Sequence, residues 1–242
     1  LKPAALPVVD YVEIDRHRSK LAPRVIASQI MTRTGAPLDL KVLDDDLARI
    51  YGLDVFERVN FRLEKRNSRT GLVFEPMEKS WGPGYLRFAL SWADNFKGES
   101  TYTMGLSHTQ TEMNALGGEW RNQVQVGDQP VLLSEFFQPL NWATNYFLAP
   151  RVYYAERNIN LYRTEDRGAI SAQYRVKELT GGLDVGREFG NWGVLRLGLR
   201  RGYGATRINI GTPDLETESY NTGGIYSAFS YNTLDDFNFP LR

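Results

Sequence analysis

From residue 84 onward, apolar side chains occupy every second position in segment after segment. Leu86, Phe88, Leu90 and Trp92 alternate with Arg87, Ala89, Ser91 and Ala93. Tyr102, Met104 and Leu106 alternate with Thr103, Gly105 and Ser107. Ile170, Ala172, Tyr174 and Val176 alternate with Ser171, Gln173, Arg175 and Lys177, and Leu195, Leu197 and Leu199 with Arg196, Gly198 and Arg200. Neighbouring side chains on a strand point to opposite faces, so each segment reads as a strand with one apolar and one polar face. A slip of one residue would turn each apolar set to the wrong side. About eight such strands follow one another, near 84–94, 100–110, 117–127, 130–138, 146–158, 168–189, 191–208 and 219–234. The sixth and seventh are long for a simple bilayer crossing and are expected to project beyond it. Asn95-Phe96-Lys97-Gly98 and Asn141-Trp142-Ala143-Thr144-Asn145 read as turns.

Two solvents can meet such an apolar face: a second protein layer or lipid. No apolar run approaches the ~20 residues of a membrane helix, but a membrane strand needs only about 9–11. The 13 Tyr, 12 Phe, 5 Trp and 22 Gly fit an aromatic, glycine-rich β protein of either kind. Arginines and small residues on the polar face suit a watery barrel interior. Trp92 and Tyr174 at strand ends suit interfacial girdles. A soluble sandwich shows the same alternation, and pattern alone leaves both open. The formal net charge of +0 lacks the basic excess of a general nucleic-acid binder. With 0 Cys, disulfides, thiolate zinc sites and cysteine nucleophiles are excluded. The chain starts Leu1-Lys2-Pro3 without an initiator Met and is expected to be a mature form or an excised segment.

The first ~80 residues mix periods. A strand is expected over 8–14. Pro23 suits a helix start, Val25, Ile26 and Ile30 share a helical face, and Gly35 is the expected stop. Asp39 is placed to cap a second helix, with Leu40, Leu43, Leu47, Ile50 and Tyr51 as its buried stripe and Asp44, Asp45, Asp46 and Arg49 opposite. Val59, Phe61 and Leu63 then alternate with Arg58, Asn60 and Arg62, Ser68-Arg69-Thr70-Gly71 suits a turn, and Leu72-Val73-Phe74-Glu75 returns as a strand. Strand, helix, helix, strand, strand implies a three-stranded sheet covered by two helices.

The stretch 35–64, with Leu43, Leu47, Ile50 and Tyr51 followed by Phe56-Glu57-Arg58-Val59, resembles a POTRA domain, the periplasmic unit that precedes outer-membrane translocation barrels. Glu78-Lys79-Ser80-Trp81-Gly82-Pro83-Gly84-Tyr85-Leu86-Arg87-Phe88 is similar to the start of the barrel in bacterial patatin-like outer-membrane proteins. Glu112-Met113-Asn114-Ala115-Leu116-Gly117-Gly118-Glu119-Trp120-Arg121 and Ser134-Glu135-Phe136-Phe137-Gln138-Pro139-Leu140 resemble two further signatures of that group. The resemblance implies an α+β POTRA module (1–80), a linker (81–84) and the N-terminal part of an antiparallel transmembrane β-barrel (85–242), the eight strands being half of a barrel of about 16. In that family, the type Vd autotransporters, a patatin-like lipid hydrolase precedes the POTRA domain. The implied role is outer-membrane anchor and translocation module, with the POTRA domain in the periplasm. The implied partners are outer-membrane lipids, the fused patatin-like passenger and the barrel-assembly machinery during insertion, with homo-oligomers left open. No G-x-S-x-G elbow occurs here, so the hydrolase residues cannot be carried over; the active site is expected upstream. The run Asn232-Thr233-Leu234-Asp235-Asp236-Phe237-Asn238-Phe239-Pro240-Leu241-Arg242 resembles a mid-barrel segment, and the barrel is expected to be incomplete. The alternative is a soluble lipid- or glycan-binding β-sandwich fused to a small α/β domain.

No catalytic residue, cofactor or metal is assigned. His17 and His108 have no evident nucleophile and acid, and three consecutive carboxylates on a helix fan apart. Trp81, Gly82, Pro83 and Gly84 form the expected hinge. Leu86, Phe88, Leu90, Trp92, Leu195, Leu197 and Leu199 are the expected lipid-facing residues. Arg87, Arg175, Lys177, Arg196 and Arg200 are the expected lumen-facing set, either as a polar conduit or as partners of Glu119, Glu135, Glu178 or Asp184.

Overall fold

The computed structural model describes residues 6–15, 19–94, 100–162, 170–190, 192–211 and 217–231. His17, the expected turn at Asn95-Phe96-Lys97-Gly98 and the run 232–242 lie outside them.

β1 (Val8–Val9) pairs with β3 (Ala36–Pro37), and β2 (Tyr11–Ile14) runs parallel to β5 (Arg69–Glu78), whose other side carries β4 (Phe56–Arg66). The β4–β5 turn is tighter than expected: Asn67 and Ser68 take positive φ, 49° and 63°, and close a two-residue hairpin. Helices α1 (Pro23–Ala27) and α2 (Leu40–Tyr51) cover the sheet. Pro23 opens α1 as expected, but the helix stops at Ala27 rather than near Gly35. The Ser28 hydroxyl donates to the Val25 carbonyl, and the backbone N–H groups of Met31 and Thr32 donate to Asp46 at 2.8 and 2.9 Å. Those amides are thereby withdrawn from a helical ladder. Gly35, at φ 79°, serves the turn into β3 instead.

Asp39 caps α2 as expected, accepting from the Lys41 and Val42 amides. Its buried stripe differs. Leu43 and Ile50 are buried, but Leu40 and Tyr51 are exposed and Asp46 is fully buried. At ~100° per residue, the stripe is centred on Leu43 and Ile50, leaving Leu40 and Tyr51 on one flank and Asp46 on the other. A buried carboxylate needs donors; Asp46 takes the two amides, the Thr32 hydroxyl and Arg49. Val9, Ile26, Ile50, Phe56, Leu72 and Phe74 form the core of this α/β part. Phe61 and Leu63 share the face of their partners Phe74 and Leu72 yet remain exposed, on the edge strand β4.

The second sheet has eight antiparallel strands in chain order: β6 (Gly84–Asp94), β7 (Ser100–Gln110), β8 (Glu119–Gly127), β9 (Val131–Pro139), β10 (Tyr146–Tyr162), β11 (Ile170–Phe189), β12 (Gly193–Ile210) and β13 (Ser219–Tyr231). β6 and β13 are its two edges and do not pair with each other, so the sheet is open. The α/β part sits against two turns at one end. The Ala22 amide donates to the Ala115 carbonyl at 2.8 Å, the Lys20 amide to Glu112 at 3.2 Å and the Ser28 hydroxyl to the Trp142 carbonyl at 2.7 Å. Leu116 packs onto the α/β core.

Candidate functional site

Directly paired residues share a face, so the register assigns every side chain of the eight-stranded sheet to one of two faces. One face holds Arg87, Arg121, Glu135, Arg151, Asp184, Arg196, Arg200 and Tyr226, linked through pairs such as Arg121↔Glu135, Arg151↔Gly182, Gly182↔Arg200 and Gly198↔Tyr226. This face is concave. Arg196 on β12 reaches Glu135 on β9 at 3.2 Å, although three strand spacings of about 4.8 Å would hold them ~14 Å apart at the backbone in a flat sheet. Residues of β9 and β13, Leu133 and Tyr226, also line one cavity of about 640 Å³ with Arg151 and Arg200.

The concave face carries an ion network. Asp184, fully buried, accepts from Arg196 at 2.9 Å and from the Tyr226 hydroxyl at 2.5 Å, with Arg151 at 3.9 Å. Arg121 pairs with Glu119 at 2.5 Å and with Glu135 at 3.5 Å. The sequence puts glycines where the network needs room. A Cβ on Gly198 would lie 2.1 Å from the Tyr226 ring and 2.3 Å from Asp184, and one on Gly186 would lie 2.2 Å from the Phe147 ring. The expected salt bridging to Glu135 and Asp184 is present at Arg196. Arg200 instead stacks on the Tyr226 ring, 4.0 Å from its centroid, and Arg87 on Tyr85 at 4.9 Å.

The opposite, convex face is apolar. Phe88↔Leu106↔Val124↔Leu132 runs across four strands, and Leu148↔Val185↔Leu197 and Leu183↔Leu199↔Ile225 across the others. Phe88 is 78% exposed, Leu90 79%, Trp92 74% and Ile225 81%. Leu86, Leu197 and Leu199 are exposed beside them, and Leu195 is half-buried on the same face. Among the described residues no other sheet covers them. On β10 the convex positions from Tyr146 to Tyr154 are all apolar or aromatic, a span matching the about 9–11 residues of a membrane strand. At the end beside the α/β part, Phe189, Trp192, Phe229 and Tyr231 make an aromatic cluster with ring centroids 5.3 to 6.5 Å apart.

The register corrects one expected grouping. From Tyr174 to Phe189 β11 pairs without a bulge, so odd positions share the face of Leu183 and Val185. Arg175 and Lys177 therefore lie on the convex face, opposite to Arg196 and Arg200, and Ala172, Tyr174 and Val176 on the concave one. Beyond the apolar band the outer wall is polar, and the polarity of a residue there no longer reports its side. Arg175 and Lys177 meet Glu156 at 3.8 and 3.0 Å.

The expected hinge is a tied turn. Gly82, at φ 77°, bonds back to the Lys79 carbonyl, and the Pro83 carbonyl accepts from both the Thr111 amide, 2.7 Å, and its hydroxyl, 2.8 Å. Trp81 is exposed and Gly84 begins β6. His108 lies on the convex face between Leu86 and Asn122. Asp44 and Asp45 are exposed, and no cluster of three potential metal ligands occurs among the described residues. Arg151, Phe147 and Tyr226 do not follow from the alternation; the glycines opposite them, Gly182, Gly186 and Gly198, are the available signal.

No protein-family model and no curated protein matches the sequence. Solved structures do. BamA from Haemophilus ducreyi lacking POTRA domains 1–3 superposes with a TM-score of 0.63 at 14% identity, over 96% of this chain and 46% of that one. CdiB from Acinetobacter baumannii gives 0.53 at 10% identity, over 93% and 43%. CdiB from Escherichia coli gives 0.51 at 12%, over 93% and 42%. The chain has the fold of these β-barrel proteins. It spans less than half the length of each. Its eight-stranded antiparallel sheet is similar to the BamA barrel, without closing on itself.

Proposed function

We propose that this chain is the membrane-embedded part of an outer-membrane protein, an anchor and translocation module for a domain fused to it. The carrying observation is the pairing of an apolar convex face with an ion-paired concave face on one curved sheet. Water would repel the first and hydrocarbon the second. The order strand, helix, helix, strand, strand, with the α/β part held against the turns at one end, supports a POTRA domain on the periplasmic side. The runs 78–88, 112–121 and 134–140 support the finer reading, a patatin-like autotransporter whose lipid hydrolase is encoded upstream.

The module does no bond chemistry in this reading. Its strands partition into lipid because each convex apolar side chain gains contact with acyl tails, and its backbone groups are satisfied by strand pairing, which hydrocarbon makes obligatory. The open edges at β6 and β13 then have to be paired by further strands. Alkaline carbonate extraction of the full-length protein tests the proposal. It stays in the membrane pellet and runs as a heat-modifiable band; release into the supernatant in folded form overturns it. A soluble sandwich would need a second layer over Leu86, Phe88 and Leu197, and nothing in the described residues favours it. Lipid hydrolysis by the full-length protein, lost when the upstream domain is removed, tests the finer reading.

A further inference from the structure

On the convex face the rows beyond the apolar band change character within a few residues. Tyr154, Leu179 and Tyr203 form the last row of the band. The next row holds Glu156, Lys177 and Ala205, and the one after it Asn158, Arg175 and Arg207. Arg175 and Arg207 are direct cross-strand partners, a like-charge pairing that is unfavourable unless something neutralises it. Glu156 is the one carboxylate in these rows, and it is shared. It lies 3.0 Å from Lys177 and 3.8 Å from Arg175, and it accepts from the Tyr154 hydroxyl at 2.5 Å. Arg207 is exposed and pairs with no carboxylate among the described residues. Arg201, one row inside the band, is flanked by Gly181 and Gly223, leaving its long side chain room to snorkel toward the same level.

We propose that Arg175, Lys177 and Arg207 form a docking site for the phosphate of an anionic lipid headgroup, in the leaflet remote from the N-terminal α/β part. The site rests on the membrane reading above and adds a specific lipid contact to it. Depth carries the argument together with charge. Tyrosines mark the interface of a membrane barrel. The cationic rows begin about two residues beyond them, so at about 3.3 Å per residue and a tilt near 45° they stand roughly 5–9 Å further out. The headgroup layer is about that thick, since it adds some 5–7 Å to each side of the hydrocarbon. Among the described residues of these rows, three cations stand against one carboxylate. Arginine forks bind phosphate oxygens bidentately, and Lys177 adds a point charge. The neighbouring amides, where Gln173 donates to Asn160 at 2.8 Å and Asn209 to Gln173 at 2.5 Å, continue a polar wall beyond the phosphate level.

The test uses the full-length protein in non-ionic detergent with added lipid A, a phosphorylated glycolipid, read by native mass spectrometry. The wild type retains lipid A. The double variant Arg175→Gln/Arg207→Gln loses retention by about tenfold or more, whereas Arg175→Lys/Arg207→Lys keeps most of it and guards against a folding artefact. Glu156→Gln strengthens retention, and Lys41→Gln in the α/β part leaves it unchanged. Millimolar inorganic phosphate leaves the lipid in place. Equal retention by the wild type and the Gln double variant overturns the site. So does full displacement by inorganic phosphate, or a dimer whose formation needs Arg175 and Arg207. Each protein is also subjected to carbonate extraction from membranes. A wild type that is extracted defeats the membrane reading itself, while a membrane-retained protein with unaltered lipid A retention defeats only the site.

Discussion

The N-terminal α/β part and the eight-stranded sheet use the same side chains for opposite ends. In the first, Ile26, Ile50, Phe56 and Phe74 are turned inward and withdrawn from solvent, while charges such as Arg62 and Arg66 stay outside. In the second, Phe88, Leu90, Leu199 and Ile225 are turned outward, and Asp184, Glu135 and Arg196 face the concave side. The hydrophobic effect fills the interior of the first. In the proposed reading the second is arranged for a surrounding medium as apolar as its own leucines, where only pairing, shape and the ion network remain to hold it. Folding class alone does not separate the two; the destination of the apolar face does.

Substitutions can break this comparison, and the largest effects belong to buried groups. Phe56→Ala should destabilise the α/β part by about 3–5 kcal/mol without altering membrane integration, as read by limited proteolysis of the first 80 residues against heat-modifiability of the barrel. Asp184→Leu should cost a similar ~3–5 kcal/mol in the sheet, because Arg196 is left short of a partner in a partly buried site; urea unfolding in liposomes reads it, and Asp184→Asn should cost less. Leu90→Arg should weaken insertion by about 2–4 kcal/mol if that position sits near the bilayer midplane. The matching exposed apolar residue of the α/β part, Phe61, should accept arginine within about 0.5 kcal/mol. Equal penalties at Leu90 and Phe61 would erase the distinction between the regions. Leu116→Ala should cost less than the buried and membrane-facing changes, about 1–2 kcal/mol for a partly buried side chain. It should raise protease cleavage near residues 79–83 by loosening the α/β part from the turn 111–118.

Much of the sheet was legible because a two-residue period is a direct image of strand geometry: Leu86 to Trp92 and Leu195 to Leu199 could have formed little else. The cap at Asp39 was legible for the same local reason. The short α1 was not, since its end depends on amides captured by Asp46 from another helix. The buried Asp46 looked like one of three solvated carboxylates because the helix is rotated about its axis by packing, which sequence spacing does not record. Grouping Arg175 and Lys177 with Arg196 and Arg200 rests on apolar neighbours such as Val176 marking the outer face. That inference fails once a strand leaves the apolar band, and only the register to β10 and β12 restores it. Arg151 and Tyr226 gave no periodic signal at all, since their roles come from glycines on adjacent strands.

The chain contains no cysteine, so single cysteines can be introduced along β6 without background. Placed in turn from Leu86 to Trp92 in the membrane-inserted protein, they should give a strict two-step pattern. Those at Leu86, Phe88, Leu90 and Trp92 should report an apolar environment through a polarity-sensitive label and resist a membrane-impermeant maleimide. Those at Arg87, Ala89 and Ser91 should react with it. Uniform reaction along the strand, or uniform protection, would contradict the account.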